Sequence, residues 1–117
     1  MLDRGTLLSG FERGLPDGSC LDDEGYIWNC RVGGGNCLVR IHPEGILDCV
    51  IELPCSSPTS CTFGGKHLDT LYVTSARFGM TSDDVRSNPQ KGALFAVNTG
   101  HRGMPANRFG RQGLRSC

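Results

Sequence analysis

"PDGSCLDDEGYIWNC", residues 16–30, has a partner further along in "PTSCTFGGKHLDTLYVTS", residues 58–75. Each stretch runs from Pro to Cys, through a turn with Gly, into a strand-like run that holds an aromatic residue. Pro16 to Pro58 is 42 residues, Cys20 to Cys61 is 41 and Trp28 to Tyr72 is 44. Each unit then has another strand-like run, "CLVRI" before "HPEG" and "LFAV" before "NTG", with an insertion at 77–91 in the second. A period of about 40 to 45 residues with four short strands per unit marks a β-propeller blade. A blade is a twisted sheet that cannot bury both faces alone, so it needs neighbours.

The remainder of the chain agrees with an all-β reading. In "NCLVRI", Cys37, Val39 and Ile41 face one way and Asn36, Leu38 and Arg40 the other. Leu71 and Val73 alternate with Tyr72 and Thr74. "YIWNC", "ILDCVIEL", "TSCTF" and "ALFAV" are also strand-like, and Gly or Pro clusters divide them. Seventeen glycines against one Trp and two Tyr favour many tight turns. "TSDDVRSNPQ" predicts a short polar helix, capped by Thr81 and ended before Pro89. The 117 residues hold fewer than three such units, while propellers close with about four to eight blades. The chain is therefore a piece of a propeller, one of several chains that assemble into one, or an open stack of sheets.

Charge and composition narrow the function. Twelve basic and twelve acidic side chains cancel, and no Lys or Arg run marks a nucleic-acid or membrane strip. No run of eighteen apolar residues appears, and the start "MLDRGTLLSGFERG" is too polar for an export signal, which predicts the cytoplasm. Of the seven cysteines, Cys20, Cys30, Cys37, Cys49 and Cys61 lie in apolar strand-like runs; Cys55 and Cys117 complete the count. The number is odd and no C-x-x-C pair exists. Reduced, buried thiols filling strand cores fit better than a disulfide framework or metal cluster.

Motifs for common chemistries are missing. There is no G-x-S-x-G elbow. "SCTFGGKH" departs from a phosphate loop at Ser60 and His67, and Gly33, Gly34 and Gly35 read as hairpin glycines. His42, His67 and His101 are scattered beside Gly, Pro or Lys and read as exposed loop residues. Asp22, Asp23, Glu24 and Gly25 read as an ordinary tight turn. Asp17, between Pro16 and Gly18 at a strand entrance, is the one candidate site residue. It either closes an Asx-turn on its own backbone or holds a ligand. In a propeller the strand entrances at one end line the central channel, where oxygen ligands for a cation gather without local spacing.

"LPDGSCLDDEGYIWNCRVGGGNCLVRIHPEG", "IELPCSSPTSCTFGGKHLDTLYVTSARFGM" and "GALFAVNTGHRGMPANRFG" closely resemble the C-terminal part of the senescence marker protein/gluconolactonase/luciferin-regenerating enzyme family. Regucalcin and bacterial sugar lactonases belong to that family. The resemblance implies a six-bladed β-propeller, of which residues 1–110 would supply two to two and a half blades, leaving 111–117, "RQGLRSC", as an unmatched tail. It implies a divalent cation (Ca²⁺, Zn²⁺, Mg²⁺ or Mn²⁺) held by a Glu, an Asn and the Asp of a P-D-G motif, which is also the proton acceptor. Only the last maps here, making Asp17 the implied metal ligand and catalytic base. The Glu, the Asn and the substrate-contacting residues have no counterpart in this sequence. Asn29 and Cys30 replace a small apolar pair, and His42 stands where an Asp is common. The implied function is the C-terminal part of a lactonase acting on sugar lactones, inactive as this chain alone and completed by missing N-terminal blades or self-assembly. The alternative is a non-catalytic truncated module with a structural or binding role.

Overall fold

Alternating apolar positions become strands, and the Gly and Pro clusters become the turns between them. In the computed structural model, which describes residues 11–77, 82–87 and 92–105, seven strands form two antiparallel sheets. The first sheet runs in chain order: β1 (Leu15–Leu21), β2 (Ile27–Val32), β3 (Cys37–Ile41) and β4 (Leu47–Glu52). The second holds β5 (Pro58–Gly64), β6 (Thr70–Ser75) and β7 (Phe95–Asn98), with helix α1 (Ser82–Ser87) between β6 and β7. The hairpin joining β2 to β3 requires left-handed backbone at Gly33 and Gly34, with φ of 68° and 90°.

Two departures from the sequence reading concern topology. The second sheet has three strands among the described residues, not four. After β7 the chain does not turn back beside it. It crosses to the first sheet, where Gly103 forms an isolated bridge with Asp22 and Asp23 N–H donates to Arg102 C=O. Gly103 N–H also donates to Leu68 C=O at 2.7 Å, so this segment ties both sheets together. The second departure is at Pro16-Asp17-Gly18, which lies inside β1 rather than at its entrance. The expected capping at Thr81, the stop at Pro89 and the 111–117 tail lie outside the described residues.

The core sits between the sheets. Trp28, Cys30 and Leu38 of the first meet Cys61, Phe63, Leu71 and Val73 of the second, with Leu53 and Cys55 from the connection. Trp28 and Phe63 stack edge-on with ring centroids 5.8 Å apart. β1 and β2 both touch β5. On the far face of the first sheet, Cys37, Val39 and Ile41 form a second cluster with Phe11, Ile27 and Val50. All five residues of β3 are thus buried, Cys37, Val39 and Ile41 on one face and Leu38 and Arg40 on the other, as the alternation predicts. The outward face of the second sheet stays polar and open: Ser60, Thr62 and Thr74 are exposed.

Candidate functional site

The register between β1 and β2 slips between Pro16 and Ser19, leaving Asp17 and Gly18 unpaired in a bulge. Gly18 is needed there for space. A Cβ on it would stand 2.7 Å from Ser60 Cα and 2.7 Å from Thr59 O, on the backbone of β5. The side chain of Asn29 braces the bulge. Its Nδ2 donates to Asp17 C=O and to Ser19 Oγ, both at 2.9 Å. Arg31 in turn donates to Asn29 Oδ1 at 3.2 Å and to the Arg13 and Gly14 carbonyls. The polar residue in place of a small apolar one is therefore a support for the backbone of Asp17. The Asp17 carboxylate itself is exposed and accepts no hydrogen bond among the described residues.

The other end of β1 differs from the sequence reading. Asp22 is an organising centre and only incidentally a turn residue: it is 0% exposed. Its Oδ1 accepts from the Glu24 and Tyr26 N–H groups, and its Oδ2 from Trp28 Nε1 and Arg40 Nε at 3.0 and 2.8 Å. Arg40 also pairs with Asp48 at 2.9 Å and Glu24 at 3.3 Å, and its guanidinium lies 3.6 Å from the Tyr26 ring centroid. Burial alone would raise the Asp22 pKa, but the donors from Trp28, Arg40, Tyr26 and Glu24 hold it below the ordinary carboxylate value. Burial pulls Arg40 down, yet Asp48 and Asp22 leave it raised.

The histidines are less open than expected. His67 is exposed, but His42 packs edge-on to Tyr26 at 5.0 Å, and His101 lies 5.5 Å from Trp28 and 3.5 Å from Glu24. Cys20, Cys30, Cys37, Cys49 and Cys61 carry free thiols; Cys30, Cys37 and Cys61 are buried in the cores, Cys20 packs beside one and Cys49 is partly buried. Among the described residues, no group of three or more His, Cys, Asp or Glu side chains is arranged to hold a metal ion. Asp17 offers one carboxylate, whereas Ca²⁺ takes about six to eight oxygens. The described residues alone do not fit such a cation. An open hollow of about 140 Å³, lined by Ser60, Cys61, Thr62, Tyr72, Thr74 and Leu94, lies on the second sheet. No helix of the described residues is long and apolar enough to cross a membrane.

Known proteins resemble this chain in sequence and fold. Regucalcin of Danio rerio is 41% identical over 96 residues, 80% of this chain and 32% of its own. L-arabinolactonase of Azospirillum brasilense is 38% identical, over 82% of this chain and 31% of its own. The chain thus spans about a third of the length of the curated relatives it matches. The solved structure of a calcium-binding regucalcin from Agrobacterium tumefaciens superposes with a TM-score of 0.72 at 35% identity, covering 79% of this chain and 31% of that one. A luciferin-regenerating enzyme superposes with a TM-score of 0.66 at 30% identity, over 78% of this chain and 30% of that one. The sequence profile of the SMP-30/Gluconolactonase/LRE-like region matches residues 2–77, through the whole first sheet and on past β6. With sequence and fold in agreement, the chain belongs to the SMP-30/gluconolactonase/LRE-like family.

Proposed function

We propose that this chain is the C-terminal part of a divalent-metal-dependent lactonase that opens a sugar lactone, and that it is inactive until completed. The observation that carries the reading is Asp17. A bulge, a glycine that fits only as glycine and a buried Asn29–Arg31 brace hold its backbone, while its exposed carboxylate accepts no hydrogen bond among the described residues. A carboxylate so placed is suited to take the proton of a water attacking the lactone carbonyl. The relatives named for lactone hydrolysis and calcium binding support the substrate class and the cation. A cation at Asp17 requires oxygen donors from outside the described residues, supplied by further blades of the same protein or by another chain. The cytoplasm is the compartment proposed, and neither nucleic acid nor membrane is a partner.

The second reading is a non-catalytic module. It is favoured by the fact that the most heavily bonded residues, Asp22 and Arg40, organise packing rather than an open site. The experiment is a lactone-hydrolysis assay with Ca²⁺, Zn²⁺, Mg²⁺ or Mn²⁺, on the chain alone and mixed with the N-terminal two-thirds of a regucalcin. The expected result is no turnover alone and turnover on mixing. Asp17→Asn should then lower turnover by about a hundredfold, the ordinary worth of a positioned acid–base group. Turnover unaffected by Asp17→Asn would remove Asp17 from the site. No turnover in a complex shown to assemble would favour the module.

A further inference from the structure

Cys20 is the second-to-last residue of β1, and Cys61 lies on β5, the facing edge strand of the other sheet. Their Sγ atoms are 3.6 Å apart, which is contact distance. No backbone hydrogen bonds join β1 to β5, so packing rather than a shared ladder holds these two edges together. Cys61 is 7% exposed and directs its thiol to Trp28 C=O, also at 3.6 Å. Cys20 is half-buried, so one member of the pair is reachable from solvent.

We propose that Cys20 and Cys61 are a redox-convertible pair that closes into a disulfide stapling the two sheets. The oxidant is a small-molecule disulfide. The Cys20 thiol loses its proton and its sulfur attacks one sulfur of that disulfide, expelling a thiolate. The Cys61 sulfur, deprotonated in turn, attacks Cys20 Sγ in the mixed disulfide and expels the second half as thiolate. The protein gives up two protons and two electrons; the small disulfide takes up both and leaves as two thiols. Closure needs the sulfurs to approach from 3.6 Å to about 2.05 Å. Two edge strands free of mutual backbone bonds allow that movement.

The pair persists as a dithiol without added oxidant. The contact with Cys61, then burial, raises the Cys20 thiol above its ordinary value. At Cys61 the contact with Cys20 lowers the pKa, but Cys30 and burial outweigh it and bring it to about 12. Little thiolate forms at neutral pH, so closure is slow and needs excess oxidant.

The test is to incubate the folded chain with oxidised glutathione, count thiols after denaturation, and locate any bond by tandem mass spectrometry of a non-reduced digest. The expected result is the loss of two thiols, a Cys20–Cys61 link, and a melting temperature higher by on the order of 10 °C, reversed by dithiothreitol. That shift is what closing a 41-residue separation implies for a domain this small. Cys20→Ser, at a half-buried position, should keep the fold and abolish the loss. A link from Cys61 to Cys30, an unchanged thiol count in the folded protein, or loss of two thiols in folded Cys20→Ser would each overturn the proposal.

Discussion

An aspartate in the first half of β1, Asp17, and one just past its last residue, Asp22, are treated oppositely by the fold. Asp22 is sealed from water and saturated by donors from two backbone amides, an indole and a guanidinium. Asp17 has its backbone fixed, and its carboxylate is exposed and accepts no hydrogen bond among the described residues. The same stretch of chain thus uses one carboxylate to build and exposes the other. A buried carboxylate persists only when every lone pair is engaged, which spends it entirely on structure. A carboxylate available for chemistry has to be held through its main chain instead, and the bulge with Asn29 beneath it does this.

The sharpest break in that comparison is Asp22→Ala. It leaves Arg40 inside the sheet pair without its most buried partner and Trp28 Nε1 without an acceptor. Removing one member of a buried pair costs about 3–5 kcal/mol, a large share of a small domain's stability. Urea denaturation should show the protein unfolded or its midpoint far lower. An ordinary turn aspartate would cost far less, and a midpoint near that of the parent would return Asp22 to that role.

The same contrast has a pH signature. The folded Asp22 carboxyl sits below its ordinary value, so it binds protons less readily folded than unfolded. Its stabilisation is fully present above the unfolded value of about 4 and is lost as pH falls through the lower folded value. Urea midpoints should therefore drop steeply on acidification below about pH 4, and Asp22→Asn, where it still folds, should flatten that drop. An equal slope in both proteins would assign the acid sensitivity to other carboxylates.

At the Asp17 end the fold depends on absent atoms. Gly18→Ala forces a methyl to within 2.7 Å of the β5 backbone, which no side-chain rotation relieves. Overpacking of this kind costs about 1–3 kcal/mol, and here it also pushes β1 away from β5. Thermal melting should show the loss, and reactivity of Cys20 towards a thiol reagent should rise as the edges part. Neither change appearing would mean that the two edges have room between them.

The strands were legible in the sequence because period-two alternation maps directly onto faces. Leu38 and Arg40 do fall opposite Cys37, Val39 and Ile41. The bulge was not, because one extra residue on a strand leaves local composition unchanged; only the pairing register reveals it. The turn at Asp-Asp-Glu-Gly was legible, and it forms: Gly25 N–H donates to Asp22 C=O; the burial of the Asp22 carboxylate was not. The usable signal lay elsewhere. A Trp and an Arg on the inward face of neighbouring strands each require an acceptor, and Trp28 and Arg40 are cross-strand partners. Asking what satisfies them leads back to a nearby carboxylate. The three-stranded second sheet was hidden because the return of residues 101–103 to Asp22 is a long-range bridge with no local pattern.

The smallest expected effect is the stability change of Asp17→Asn, and it sharpens the comparison most directly. The substitution keeps size and shape and removes only the charge. Asn29 and Arg31 hold the bulge through the carbonyl of residue 17 and through Ser19, neither of which changes. The carboxylate is exposed and accepts no bond among the described residues. Surface substitutions of this kind move stability by no more than about 0.5 kcal/mol. Urea midpoints of Asp17→Asn and parent should coincide within that range, while turnover in the completed propeller falls about a hundredfold. The dissociation of the two readouts is the point, because a structural aspartate would lose stability and activity together. A midpoint lowered as far as in Asp22→Ala would show that Asp17 also builds the fold, and the two aspartates would no longer differ.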